Sequence, residues 1–197
     1  MSHPLIYVLG DTEIKGFPLI LTIGREPNYD DVLTDTIGIM DAKKFASMSG
    51  GVWVTAYTQF AKQYIGEKGN AVFLKELCFN KNSSPIIFSN AFPLGIPQEV
   101  SDKDSIRKKL AGLIPDHVNK IFSKDIIRMV KLVVHHGSDQ SEVSKLARRH
   151  IEEKCYELGI PYCATDFFYN GNSRNIQNSL MDFEENIRLV FNEFLCN

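Results

Sequence analysis

Apolar residues gather in four short runs along the chain, each stopped by glycine, proline or a polar residue. The first, LILTI at 19–23, ends in Gly24-Arg25-Glu26-Pro27-Asn28. The second, PIIFS at 85–89, ends in Asn90-Ala91-Phe92-Pro93-Leu94. The third, KLVV at 131–134, runs into His135-His136-Gly137-Ser138, and the fourth, IPYCAT at 160–165, runs into a polar and aromatic loop over 166–175. Short apolar runs bounded by turn residues predict strands buried in a sheet. A further run at 5–9 either leads up to the 19–23 strand or pairs beside it.

Between these runs the apolar spacing becomes helical. Val54, Tyr57, Ala61 and Ile65 recur at three- and four-residue steps, and Asp41 is placed to cap a short helix through Met48. Ser101 with Asp104 resembles a capping pair before a helix over about 103–112, and a second helix is predicted over 115–123. The clearest helix covers 138–158. Val143, Leu146, Ala147, His150, Ile151 and Leu158 trace one face, and Gly159 follows as a C-terminal breaker. A last helix over about 176–194 carries Phe183, Ile187, Val190, Phe191 and Phe194 as an apolar stripe. The segment 28–38 and the run 80–84 read as loops, 72–74 is ambiguous, and 126–134 mixes a helix end with a strand.

Strands alternating with helices predict an α/β domain with a parallel or mostly parallel sheet, covered on both faces. The chain has 197 residues, 44% hydrophobic and 23% charged, which fits one folded domain over 1–197. Its net charge of -2 gives no global field toward nucleic acid or an anionic membrane. A local patch would have to supply that attraction. Lys103, Arg107, Lys108, Lys109, Lys120, Lys124, Arg128 and Lys131 concentrate between two core strands, as such a patch or as a solvated helix face. No Arg/Lys-led apolar segment opens the chain and no run is long enough to span a bilayer, so a cytoplasmic protein is expected. The four cysteines, Cys78, Cys155, Cys163 and Cys196, form no C-x-x-C pair. Free thiols in or near the core are expected, with no zinc or iron–sulfur site.

In an open α/β sheet the ligand crevice lies beyond the carboxyl ends of the strands. The strand ends here offer Glu26, Asn90, the His135-His136 pair and the loop from Thr165 to Asn175. Glu26 stands between Gly-Arg and Pro, so it either orients a water or substrate atom or is a solvated turn residue. Neighbouring strand residues face opposite sides, so the histidine pair reads as one core and one surface side chain.

In order and spacing, these strand ends resemble the uracil-DNA glycosylase superfamily, and within it the single-strand-selective monofunctional uracil-DNA glycosylases. Gly24-Arg25-Glu26-Pro27-Asn28 is similar to the family's first motif, a strand followed by Gly-x-Asn/Asp-Pro. Phe88-Ser89-Asn90-Ala91-Phe92-Pro93-Leu94 resembles its second strand, ending in Asn with Pro-Leu shortly after. Asn170-Gly171-Asn172-Ser173-Arg174-Asn175-Ile176-Gln177 resembles its last motif, where His-Pro-Ser precedes Pro-Arg-Asn. The likeness spans residues 19 to about 180.

The resemblance implies a three-layer α/β/α sandwich with a central four-stranded, mostly parallel sheet. It also implies a hydrolase of DNA-repair type, cleaving the N-glycosidic bond of a base flipped out of duplex DNA or offered in a single strand. Glu26 would orient the water and Asn90 would read the base with one donor and one acceptor. Asn170 would touch the base oxygen, where an amide can donate but carries no positive charge. Gly24, Pro27 and Tyr29 would line the base pocket, and Arg174 and Asn175 would hold the DNA backbone. The chain departs from the family at Glu26, one methylene longer than usual, at Asn170 in place of His, and at Gly171 in place of Pro. The implied protein is a monomer with DNA or a nucleotide as partner, no membrane, and no cofactor. Two further readings stay open. One is a binding domain on the same fold that has lost the reaction. The other is an unrelated α/β enzyme using Glu26 with one histidine of the pair for acid–base chemistry.

Overall fold

The computed structural model describes residues 2–8, 12, 17–25, 32–39, 84–96, 99–137, 141–165 and 184–195. Six strands form one mixed sheet: β1 (Ser2–Val8), β2 (Leu19–Gly24), β3 (Val32–Ile39), β4 (Ile86–Asn90), β5 (Val130–His136) and β6 (Tyr162–Thr165). Their order across the sheet is β3-β1-β4-β2-β5-β6. β4, β2, β5 and β6 run parallel to one another. β1 and β3 are parallel to each other, and β1 meets β4 antiparallel through Tyr7 and Phe88.

The α/β class read from the chain is therefore present, and the sheet differs from the expected one. It has six strands rather than four, because the amino-terminal run pairs with a segment expected to be a loop. β3 lies within 28–38 and one residue beyond. It is an edge strand, with Asp35, Thr36, Ile37 and Ile39 exposed. A strand bare on both faces has no reason to alternate apolar with polar residues, so it leaves no period-two pattern. The run at 5–9 pairs with β3 and β4, not with β2.

The other strands lack alternation for the opposite reason. Leu21, Ile23, Ile87 and Val133 face a core shared with two helices, α2 (Ile114–Phe122) and α3 (Glu142–Leu158). Ile114, Val118 and Ile121 come from α2, and Val143, Ala147, Ile151 and Cys155 from α3. On the other face Ile20, Ile86, Leu132 and Cys163 are equally closed to solvent. Strands buried on both faces read as continuous apolar runs, and each such side chain contributes about 1.5–3 kcal/mol.

Local signals set the helix ends. α1 (Lys103–Leu110) is capped by Asp102, whose side chain accepts from the Ser105 amide at 3.0 Å. The expected Ser101–Asp104 pair is displaced by one residue, because the helix begins at Lys103 and the residue before it takes the cap. α3 begins after Ser141, whose hydroxyl accepts from the Ser144 amide at 3.1 Å, so it starts four residues later than its spacing suggested. It ends at Gly159 with φ 66°, the left-handed cap that glycine adopts without strain. Leu158, expected on the apolar face, is 51% exposed beside that cap. A final helix, α4, covers Glu184–Leu195. The elements expected over 41–48, 54–65 and 72–74, the loop over 166–175 and the start of the last helix lie outside the described residues. Among the described residues no helix is long and apolar enough to cross a membrane.

Candidate functional site at the carboxyl rim of the parallel strands

Because β4, β2, β5 and β6 are parallel, their carboxyl ends share one rim. Gly24 is opposite Asn90, and Ile23 is opposite His135. The next residues along, Gly24 and His136, therefore sit side by side, and His136 is opposite Thr165. Alternation along each strand puts Asn90, Gly24, His136 and Thr165 in one row on one face of the sheet. Gly24 contributes no side chain to that row.

The rim is held by main-chain bonds beyond the strand ends. The Ala91 amide donates to the Gly24 carbonyl at 2.7 Å, and the Phe92 amide to the Arg25 carbonyl at 3.0 Å. Ala91 and Phe92 are each 1% exposed, so the turn after Asn90 is anchored in the core. His117 of α2 supports it from the other side, its Nε2 donating to the Asn90 carbonyl at 2.7 Å. That contact leaves the half-buried Asn90 amide side chain on a fixed main chain.

Both histidines of β5 are buried, at 1% and 2% exposure, so neither is the surface residue expected from alternation. They do face opposite sides. His135 Nδ1 hydrogen-bonds the Tyr162 hydroxyl at 3.2 Å, on the face packed by α2 and α3. His136 Nδ1 hydrogen-bonds the Thr165 hydroxyl on the rim face. The sheet is covered on both sides, so both faces of β5 are interior. Burial pushes both imidazoles down to about 3, with Arg148 adding to the effect at His135 and His135 adding to it at His136. His117 is lowered as well, chiefly by burial. At neutral pH these rings are uncharged hydrogen-bonding groups, which suits holding a polar atom and not supplying a cation.

The other candidate groups are structural or lie elsewhere. Cys155 and Cys163 are buried free thiols; burial pushes the Cys155 thiol up to about 12 and the Cys163 thiol up further, so neither is a ready nucleophile. Cys78 and Cys196 lie outside the described residues. Among the described residues no group of three His, Cys, Asp or Glu side chains is placed to hold a metal. The basic stretch is partly neutralised: Arg107 pairs with Asp104 at 2.7 Å, Lys124 with Asp35 at 2.7 Å, and Arg128 with Asp125 at 3.5 Å. Arg107 is buried rather than solvated.

Of the residues singled out in the sequence, Gly24 and Asn90 are brought together. Glu26, Pro27, Tyr29, Asn170, Arg174 and Asn175 lie outside the described residues. His136 and Thr165, both offered as strand-end residues, do lie on the rim, and His117 is the rim residue that sequence reasoning missed. His117 left one signal, since it falls on the same helical face as Ile114, Val118 and Ile121, where a polar residue needs a buried partner. The parallel register that joins His136 to Thr165 left none. No family model, curated protein or solved structure matches the chain.

Proposed function

We propose that the protein is a DNA glycosylase that hydrolyses the N-glycosidic bond of a damaged or deaminated base, on a three-layer fold of uracil-DNA glycosylase type. The observation that carries the reading is the register of Gly24 against Asn90 at the carboxyl rim of four parallel strands. The strands that lead into the first and second motifs of the resemblance end there, side by side.

In this reading the Asn90 amide pairs with the edge of an extruded base, donating and accepting at once. Glu26, two residues beyond Gly24, orients a water toward the sugar carbon. The water oxygen bonds to that carbon, the bond to the base nitrogen breaks, and the electron pair leaves on the base, which takes up a proton. Asn170 donates a hydrogen bond to the base oxygen as charge develops. Gly24, Pro27 and Tyr29 shape the pocket, and Arg174 and Asn175 contact the DNA backbone. The anchoring of Asn90 by His117 and by the Ala91 and Phe92 amides supports this role, because a base-reading amide must be held in place before the base arrives.

The test is incubation with single-stranded and duplex oligonucleotides bearing uracil, hypoxanthine or xanthine, followed by alkaline cleavage of abasic sites. Strand breaks at one modified base, lost in Asn90→Ala, are the expected result. Measurable binding with no abasic site on any substrate would sink the enzyme reading and leave a nucleic-acid binding domain.

A further inference from the structure

At the opposite rim, where the parallel strands begin, a cleft of about 760 Å³ opens between the start of β5, the end of α3 and α4. That volume lies within the range of small-molecule sites. Its inner wall is apolar and closed to solvent, with Phe122, Val130 and Val190 each 7% exposed or less. Its mouth is different. Leu189 is 54% exposed, and Arg128 and Lys131 are exposed beside it. Lys131 is the single exposed residue of β5, set between the buried Val130 and Leu132.

Among the described residues the charges of the lining have one sign. Lys124, Arg128 and Lys131 line the cleft, and among the described residues no carboxylate does. Lys124 is tied to Asp35 at 2.7 Å and is mostly covered. Arg128 reaches Asp125 at 3.5 Å with both side chains almost fully in solvent, a pairing that holds the guanidinium only weakly. Among the described residues Lys131 makes no ion pair. An apolar wall behind cations at the mouth matches a ligand with an apolar body and an anionic head, since long-stemmed cations cover apolar surface while keeping their charge in water.

We propose that this cleft binds an anionic amphiphile, an aliphatic carboxylate whose chain lies along Phe122, Val130 and Val190 and whose head meets Lys131 and Arg128. The site is remote from the carboxyl rim and does not depend on the glycosylase reading.

Calorimetric titration of the whole chain with decanoate tests it, with decylammonium and 1-decanol as comparison ligands. Expected are one binding site for decanoate, an affinity at least tenfold weaker for decylammonium, and a decanoate affinity lowered at least tenfold by Lys131→Glu and by Arg128→Glu. Both substitutions are at exposed side chains, and an unchanged far-UV circular dichroism spectrum checks each fold. Absence of binding at millimolar decanoate overturns the proposal. So does equal binding of all three ligands, or decanoate affinity indifferent to both substitutions.

Discussion

At the scale of single residues, burial decides what each polar group can do. His135 and Tyr162 satisfy each other inside the core at 3.2 Å, with the rings edge-on and their centroids 6.4 Å apart. Replacing Tyr162 by Phe keeps the ring and strands a buried imidazole nitrogen. Such a loss costs about 1–3 kcal/mol, to be read as a lower unfolding midpoint in urea with an unchanged slope. Asn90 is the contrasting case. Its main chain is bound from two sides and its side chain is only half-buried, so Asn90→Ala leaves stability within ~1 kcal/mol of the parent. On the proposed function the same change slows abasic-site formation by about a hundredfold or more, the scale of losing an aligned hydrogen-bonding group at a reacting substrate. Parallel measurements of unfolding and abasic-site release separate the two effects.

At the scale of elements, α3 shows how far local chemistry carries a helix. Ser141 caps it, Gly159 ends it in the left-handed region, and Val143, Ala147, Ile151 and Cys155 bury one face. Lys145–Glu142 and Lys154–Glu157 pairs lie on the exposed side and add little. Gly159→Ala forces a Cβ into a positive-φ site and destabilises by about 1 kcal/mol. No heavy atom lies near enough to add a steric clash there, so backbone strain accounts for the whole effect. Ser141→Ala removes the cap bond for a loss of similar size, about 1 kcal/mol. Thermal unfolding of the two single variants and the double variant checks both values. The sites are at opposite ends of the helix, so their effects add.

At the scale of the whole molecule, three buried histidines make stability depend on pH. His135 and His136 are held near 3 in the folded chain, and His117 is lowered too, while an unfolded histidine titrates near its ordinary 6.5. Below 6.5 the unfolded state binds protons that the folded state refuses. The stability is therefore present in full above pH 6.5 and is lost as pH falls from 6.5 toward 3. His135 and His136 each contribute a slope of about 1.4 kcal/mol per pH unit inside that window. Urea unfolding at intervals between pH 7 and 5 shows the decline, and His136→Gln reduces the slope by about one histidine's share. A slope unchanged by that substitution would show that His136 is protonated in the folded state.

The sequence by itself determined the class of the fold and most of its local punctuation. β2, β4, β5 and β6 were legible because strands buried on both faces need unbroken apolar runs, and α3 was legible because one helical face packs on the core. Gly24 and Asn90 were legible as strand ends because the apolar runs stop there. Tertiary structure decided what depends on neighbours distant in the chain. β3 exists through its pairing with β1, which is invisible in a strand with exposed side chains on both faces. Both histidines of β5 are interior because the sheet is covered on each side, and alternation along a strand says nothing about cover. Asn90 meets Gly24, and His136 meets Thr165, only through parallel register, which is fixed between strands separated by many residues and is written in none of them alone.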